Sequence, residues 1–378
     1  MRITSLYSAQ FREWGADRFK YPIWADIRPG NPVMISSSKK DYIVEYRPTS
    51  IRMVRVSSFN APITIEAIEE VALGEDLEAI ASSVRKFCGV KANGYLNATC
   101  VVYPERRVVR QVAIDAPKGK ETEFVFNFLH GQIENAPHEL AAHCLSPQTG
   151  KEVDPREFGR KEVLICGVPH PDIHELQQSM LGHAIYPKRL ELGTVGMLGA
   201  VQDALKWKDS KLPALLLELD ERSANAVIIG AKGIEISRRI DTGSRDIAES
   251  LKLELNLKDE EAAVRLLSSK DFDFSTISRK IIRKLLRELQ SSIGYYEVQT
   301  GQSVNWIHAA SRSIQMDWLE GSIGGFLNLE PLKYEVREWL ESVGVSFASD
   351  ELSEMVDSSW LGLLSSLCTF ENEEVAAA

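Results

Sequence analysis

Residues 215–241 read LLLELDERSANAVIIGAKGIEISRRID, and this stretch decides the fold class. Leu215–Glu218 is a short apolar run, the mark of a buried strand rather than of an amphipathic helix. A second run, 224–230 (ANAVIIG), and a third, 234–241 (IEISRRID), follow after brief polar interruptions, so the segment predicts three consecutive strands. The pattern then changes to helical spacing over 245–255 and 260–267. A long helix is predicted over 275–299, with Ile281, Leu285, Leu289, Ile293 and Tyr296 as its inner face. Strands are expected at 304–308 and 324–329, mostly helix over 334–367, and then a polar tail, ENEEVAAA.

Upstream, the same succession occurs once more. Residues 41–59 (DYIVEYRPTSIRMVRVSSF) read as two strands around a turn, with Val44, Tyr46, Ile51, Met53, Val54 and Val56 supplying the apolar content. Val71, Leu77, Ile80, Val84 and Phe87 give helical spacing over 69–87. A strand pair is expected at 95–103 and 107–114, and a helix at 121–136 stopped by Pro137. Strand 161–166, helix 170–182, strand 184–190 and helix 193–205 complete this part. Strands followed by helices, twice, around a segment of different character make an α/β chain with two related halves and an insertion. Residues 1–40 stand apart as an arm containing Tyr7, Phe11, Trp14, Phe19, Tyr21 and Trp24, expected to pack on the body.

Composition limits the function. The chain has 378 residues, with 44 Lys+Arg against 54 Asp+Glu, a net charge of −10. Apolar residues are 44% and charged residues 26%, which fits a globular protein of two or three lobes and excludes disorder over most of the chain. The acidic balance argues against a nucleic-acid partner. No apolar run is long enough to cross a bilayer, and Gln10, Arg12, Glu13 and Asp17 interrupt the start, so a cytoplasmic location is expected. Five cysteines (Cys88, Cys100, Cys144, Cys166, Cys368) without CxxC spacing read as free thiols.

Catalytic patterns are scarce. His170-Pro171-Asp172-Ile173-His174 places two histidines at i and i+4, but no third ligand can be named, and Pro171 and Asp172 suit the first turn of a helix. No metal site is expected. His138 and His143 read as surface residues. There is no GxxxxGK[ST] and no GxGxxG, and the glycines of Gly321-Ser322-Ile323-Gly324-Gly325 are expected to end a helix.

The order of elements over about 40–370 resembles the actin-like ATPase superfamily, and within it the PilM family of type IV pilus assembly proteins, relatives of FtsA and of the GspL cytoplasmic domain. The residues that carry the resemblance are these. The first phosphate loop, D-I-G-x-S in the family, corresponds to Glu45-Tyr46-Arg47-Pro48-Thr49-Ser50-Ile51-Arg52, and the second to Glu218-Leu219-Asp220-Glu221-Arg222-Ser223-Ala224-Asn225. The family's G-G-x-D before a helix appears as Gly243-Ser244-Arg245-Asp246, and its adenosine motif as Ile307-His308-Ala309-Ala310-Ser311-Arg312.

The resemblance implies a two-lobed actin-like (ribonuclease H-like) fold with an inserted α+β subdomain. Residues 41–91 and 183–210 would form the first lobe, 92–182 the insertion, and 211–378 the second lobe with the C-terminal helices. It implies a nucleotide pocket at Glu45, Thr49, Ser50, Arg52, Glu218, Asp220, Ser223, Asn225, Gly243, Ala309, Ala310 and Ser311. The departures make that pocket vestigial. Arg47 and Asp220 stand where glycines let backbone N–H groups approach phosphate, and Glu45 and Glu218 replace the aspartates that organise Mg²⁺ waters. Ala309, Ala310 and Ser311 replace the adenine-side glycines.

The expectation is therefore a scaffold without ATP hydrolysis and without a bound cofactor, ATP and Mg²⁺ included. It would be held at the inner membrane through the short cytoplasmic N-terminal peptide of a PilN-like protein and would meet other pilus or secretion platform proteins, with homo-oligomers allowed. The alternative is a functional actin-like ATPase, or an FtsA-like polymerising protein. For the peptide, the apolar positions Val101, Val108, Val112 and Ile114 of a 95–114 hairpin are expected to form one wall of the groove.

Overall fold

The computed structural model describes residues 40–158, 162–230 and 232–367; the N-terminal arm, Cys368 and the acidic tail lie outside the described residues. The strands and helices, in chain order, begin with β1 (Asp41–Tyr46), β2 (Ser50–Val56), β3 (Ile63–Ala72), α1 (Leu77–Cys88), β4 (Leu96–Val102), β5 (Val108–Ala113), α2 (Glu121–Gln132), β6 (Leu140–Leu145), α3 (Pro155–Phe158), β7 (Glu162–Pro169), α4 (His170–Gly182), β8 (Ile185–Leu192) and α5 (Gly193–Trp207). They continue with β9 (Ala214–Leu219), β10 (Ala224–Gly230), β11 (Gly233–Ile240), α6 (Ser244–Leu255), α7 (Glu260–Leu267), α8 (Ser278–Ile281), α9 (Arg283–Thr300), β12 (Trp306–Ser311), α10 (Leu319–Leu327), β13 (Glu330–Pro331), α11 (Val336–Ser342), β14 (Val345–Phe347), α12 (Asp350–Glu354) and α13 (Leu361–Leu367).

The described residues divide into two compact units, one drawn from 40–146, 150–196 and 336–367, the other from 147–149 and 197–335. The first contains a six-stranded sheet, β14-β3-β2-β1-β4-β8, and a three-stranded sheet, β5-β7-β6. The second contains a five-stranded sheet, β11-β10-β9-β12-β13. Setting β14 aside, both large sheets have the order 3-2-1-4-5. In each, the first three strands form an antiparallel meander, and the fourth pairs parallel with the first. The second unit is held by a core in which Leu215, Leu217 and Leu219 of β9 meet Ile247, Leu251, Leu285, Leu289 and Tyr296. The three-stranded sheet has its own core, including Val108, Ile114, Val125, Leu129, Val163 and Ile165.

Several expectations need correction. The 95–114 hairpin does not form. β4 pairs with β1 and β8, whereas β5 pairs with β7 in the other sheet. Val101 therefore lies in the six-stranded sheet, and Val108 and Ile114 lie in the core of the three-stranded one, 3% and 1% exposed, leaving no such groove wall.

Residues 63–72 form β3 where the helix was expected to begin. Antiparallel pairing to β2 sets Glu70 opposite Arg52 and brings Glu66 to Arg55 (3.1 Å), and these cross-strand pairs override the helical preference of glutamate. The predicted long helix is two, α8 and α9, separated at Ile282, and 324–329 is largely helix α10 instead of strand. The C-terminal helices, expected with the second lobe, belong to the first unit, because β14 extends the sheet at β3.

Candidate functional site

The phosphate-loop positions lie at the ends of β1 and β9, the central strands of the two large sheets. In the first unit, Pro48 and Thr49 form the turn between β1 and β2, closed by the Arg47 N–H on Ser50 O (3.0 Å). Thr49 is exposed, and its carbonyl accepts from Leu73 N (2.8 Å); Ser50 donates to Glu70 Oε1 (2.7 Å). In the second unit, Glu221 and Arg222 form the corresponding turn, closed by Asp220 N–H on Ser223 O (2.9 Å). Asp220, Ser223 and Asn225 are all buried.

Glu45 and Glu218 each occupy the next-to-last position of their strand and are 0% and 1% exposed. A buried carboxylate needs a counter-charge or strong donors to stay ionised. Glu45 accepts from the Tyr103 hydroxyl (2.9 Å) and lies 3.7 Å from Arg52 Nη1. Arg52 also donates to Ser359 O (2.6 Å) and Ser359 Oγ (3.1 Å), pairs with Glu70 (3.1 Å), and stacks on the Trp360 ring (4.6 Å). The Glu70 carboxyl is held below the usual range; burial opposes this, and Ser50 and Arg52 outweigh it. Glu218 accepts from Arg312 Nη2 at 2.6 Å, both side chains being buried.

Gly243 precedes α6. A Cβ there would collide with the backbone of Glu221 and Arg222, so the glycine allows the turn to approach the helix start. The first helical N–H groups are already satisfied: Ser244 N donates to Asp220 O (2.9 Å), Arg245 N to Glu221 O (3.0 Å), and Gly243 N to Asp246 Oδ2 (2.9 Å). Ala309, Ala310 and Ser311, expected in a glycine-type loop, are strand residues of β12 paired with Leu217, Glu218 and Leu219. The Ala309 N–H donates to Glu320 Oε2 (2.7 Å), which also lies 3.4 Å from His308 Nδ1.

Several of the groups expected to meet a Mg-nucleotide already have partners within their own unit. Both turns are closed on themselves, the Ser244 and Arg245 N–H groups donate to the chain's own carbonyls, and Glu45 and Glu218 each face an arginine. The positions predicted in each unit do come together there; Tyr103, Trp360, Arg312 and Glu320 were missed. Only Arg312 had a local signal, being the residue that follows the third substituted glycine.

The remaining histidine candidates resolve simply. Asp172 accepts from Arg106 Nε (3.0 Å), His170 opens α4, and His174 is exposed. Burial lowers the His170 pKa. His143, expected at the surface, has a side chain only 8% exposed and sits 3.1 Å from Glu152, because its strand β6 packs in the three-stranded sheet. Among the described residues, no group of three or more His, Cys, Asp or Glu could hold a metal ion, and no helix is long and apolar enough to cross a membrane.

No protein-family model matches this sequence, and neither does any curated protein. Solved structures do resemble it. A PilM–PilN type IV pilus biogenesis complex aligns with a TM-score of 0.59 at 15% identity, covering 87% of this chain and 98% of that one. The ethanolamine utilization protein EutJ from Carboxydothermus hydrogenoformans aligns at a TM-score of 0.39 and 10% identity (90% and 92% covered). An archaeal actin homologue aligns at 0.39 and 9% identity (88% and 98% covered). The chain has the actin-like ATPase fold.

Proposed function

We propose that this actin-like chain is a scaffold of a type IV pilus or related secretion or filament platform, working without ATP hydrolysis. It would bind the short cytoplasmic N-terminal peptide of a PilN-like inner-membrane protein, and through that peptide it would sit at the membrane. The observation that carries the reading is the pair of buried carboxylates, Glu45 and Glu218, each set against an arginine of its own unit. A fold whose phosphate-facing positions are filled by its own side chains keeps its rigid framework and loses the use of nucleotide. What such a framework can still do is hold a partner. The likeness to the PilM–PilN complex supports this reading through the fold.

Peptide capture by a rigid α/β body needs an open sheet edge or an apolar groove, so that the peptide's backbone or alternate side chains find partners. Val108→Asp is not a usable probe of that contact, since Val108 belongs to a packed core and its loss would unfold the sheet.

Two measurements test the reading. Thermal melting with and without millimolar Mg-ATP should coincide, because a ligand that binds the folded state must raise its melting temperature; a rise of several degrees refutes the non-nucleotide part. Titration calorimetry with the N-terminal peptide of a PilN-like protein encoded beside this chain should give saturable binding that a scrambled peptide lacks. No heat from either peptide would remove the scaffold assignment.

A further inference from the structure

Residues 278–288 read SRKIIRKLLRE, with five cations from Arg279 to Arg287 and no acid among them, in a chain whose net charge is −10. All five are exposed. Lys280 pairs with Glu254 of α6 (3.2 Å), Lys284 donates to Asp241 O (2.7 Å), and Arg279 lies over the Phe326 ring (5.6 Å). Arg283 and Arg287 make no hydrogen bond or ion pair among the described residues. Arg283 and Lys284 open α9, whose first turn holds no acid. That is the positive end of the helix dipole, where stability favours carboxylates over cations. The charges therefore work against the helix and add to a field that attracts anions. Arg283, Arg287, Ser291 and Tyr295 recur every four residues along one exposed row that continues to Val298; Tyr295 and Val298 are 62% and 83% exposed. Leu285, Leu286, Leu289, Ser292 and Tyr296 of the same helix are buried. The outer face of α9 thus carries cations at one end and uncovered apolar side chains at the other.

We propose that this face docks directly on an anionic bilayer surface, with Arg283 and Arg287 at the lipid phosphates and Tyr295 and Val298 entering the interface. A contact between two copies of the face would gather arginines from both, with Glu288 already paired to Arg238 (2.6 Å), so like charge disfavours it. The outer face of a helix is convex and offers a peptide neither groove nor strand edge. A lipid surface needs neither: it presents phosphate to the cations and an apolar layer to tyrosine and valine. The chain's distant acids do not prevent this, because charge is screened beyond about 8–10 Å at physiological salt. The proposal rests on the platform reading for the presence of a membrane, and gives the chain a membrane contact separate from the peptide.

The test sediments the full chain, without any partner peptide, with phosphatidylcholine vesicles that contain or lack phosphatidylglycerol. It should bind the anionic vesicles only, and added salt should release it. Each cation near such a surface strengthens binding about fivefold, so Arg283→Gln/Arg287→Gln should bind about 25-fold more weakly. That variant should melt at or above the wild-type temperature, since the start of α9 loses unfavourable charge, which separates lost binding from lost folding. Tyr295→Ser/Val298→Ser should also bind more weakly, since bare charge attraction does not use these side chains. No binding by the folded wild type, or equal binding to neutral vesicles, overturns the proposal. So does polyglutamate that displaces the vesicles while Tyr295→Ser/Val298→Ser binds them as wild type does, since the face then serves an acidic protein. Absence of peptide binding in the calorimetry would remove the platform reading and leave vesicle binding intact, so the two failures are distinguishable.

Discussion

Tyr103 lies where added Cβ atoms on Gly193 and Gly362 would collide with its ring and hydroxyl, and that hydroxyl holds Glu45. Neither glycine belongs to a recognisable motif, and the three residues are far apart in the chain, so the contact could not be read from sequence. The same holds at the end of β1, where the Tyr46 hydroxyl meets His183 Nδ1 at 2.9 Å across 137 residues. Burial pushes the His183 pKa below its ordinary 6.5, and a hydrogen bond to the Ser179 backbone opposes this. The sign follows from linkage. The unfolded chain takes a proton near 6.5 and the folded chain only at lower pH, so the stability contributed by neutral His183 is present above 6.5 and lost as pH falls through the folded value. His170, also lowered by burial, acts in the same direction. The melting temperature should therefore drop between about pH 7.5 and about pH 5.5, and drop less in His183→Gln. Parallel curves for the two proteins would show that His183 does not titrate with folding.

At the scale of elements, legibility depended on whether an element declares itself locally. α4, α7 and β10 were predicted with their observed bounds, because the residues that signal them lie within or next to them: Pro171 in the first turn of α4, Asp259 capping α7, and the apolar run of β10. β3 and α10 were not, because a neighbour decides each: β2 for β3, and β12 for α10. Gly321, Gly324 and Gly325, expected to end a helix, lie inside α10, which ends at Asn328 in the left-handed conformation (φ 56°). Their environments differ. A Cβ on Gly324 would sit 2.7 Å from Leu329 O, whereas one on Gly321 or Gly325 would meet nothing within 4 Å. Alanine in a helix is favoured over glycine by about 0.8–1 kcal/mol. Gly321→Ala and Gly325→Ala should therefore stabilise the protein by up to about that amount. Gly324→Ala should destabilise it, since forcing a methyl against backbone costs about 1–3 kcal/mol and exceeds the gain. Denaturant melts of the three variants give the signs directly, and the same sign for all three would mean that the α10–Leu329 approach is not as close as described.

Across the whole molecule, the duplicated architecture was legible because two rounds of strand and helix patterning survive in the sequence, even though the site residues have changed. Placement of the C-terminal segment was not legible. The three residues of β14 carry too little pattern to announce a pairing with β3, which lies about 280 residues earlier in register (Val345 with Ile63). The repeat also predicts where the protein is hardest to open. β1 is bonded on both sides, to β2 and β4, and β9 likewise to β10 and β12; Ile43, Val44, Leu215, Leu216 and Leu217 are fully buried. Exposing an amide of either strand requires breaking two ladders and uncovering apolar core, which approaches global unfolding in cost. β13 has two residues and β14 three, each paired on one side, so their amides need only local opening. Native-state hydrogen exchange followed by mass spectrometry should thus find peptides from β1 and β9 slowest and those from β13 and β14 among the fastest of the strand segments, with the three-stranded sheet between them. Exchange from β9 as fast as from β13 would show that the shared strand order does not govern stability, and would remove the physical basis for treating the two units as repeats of one framework.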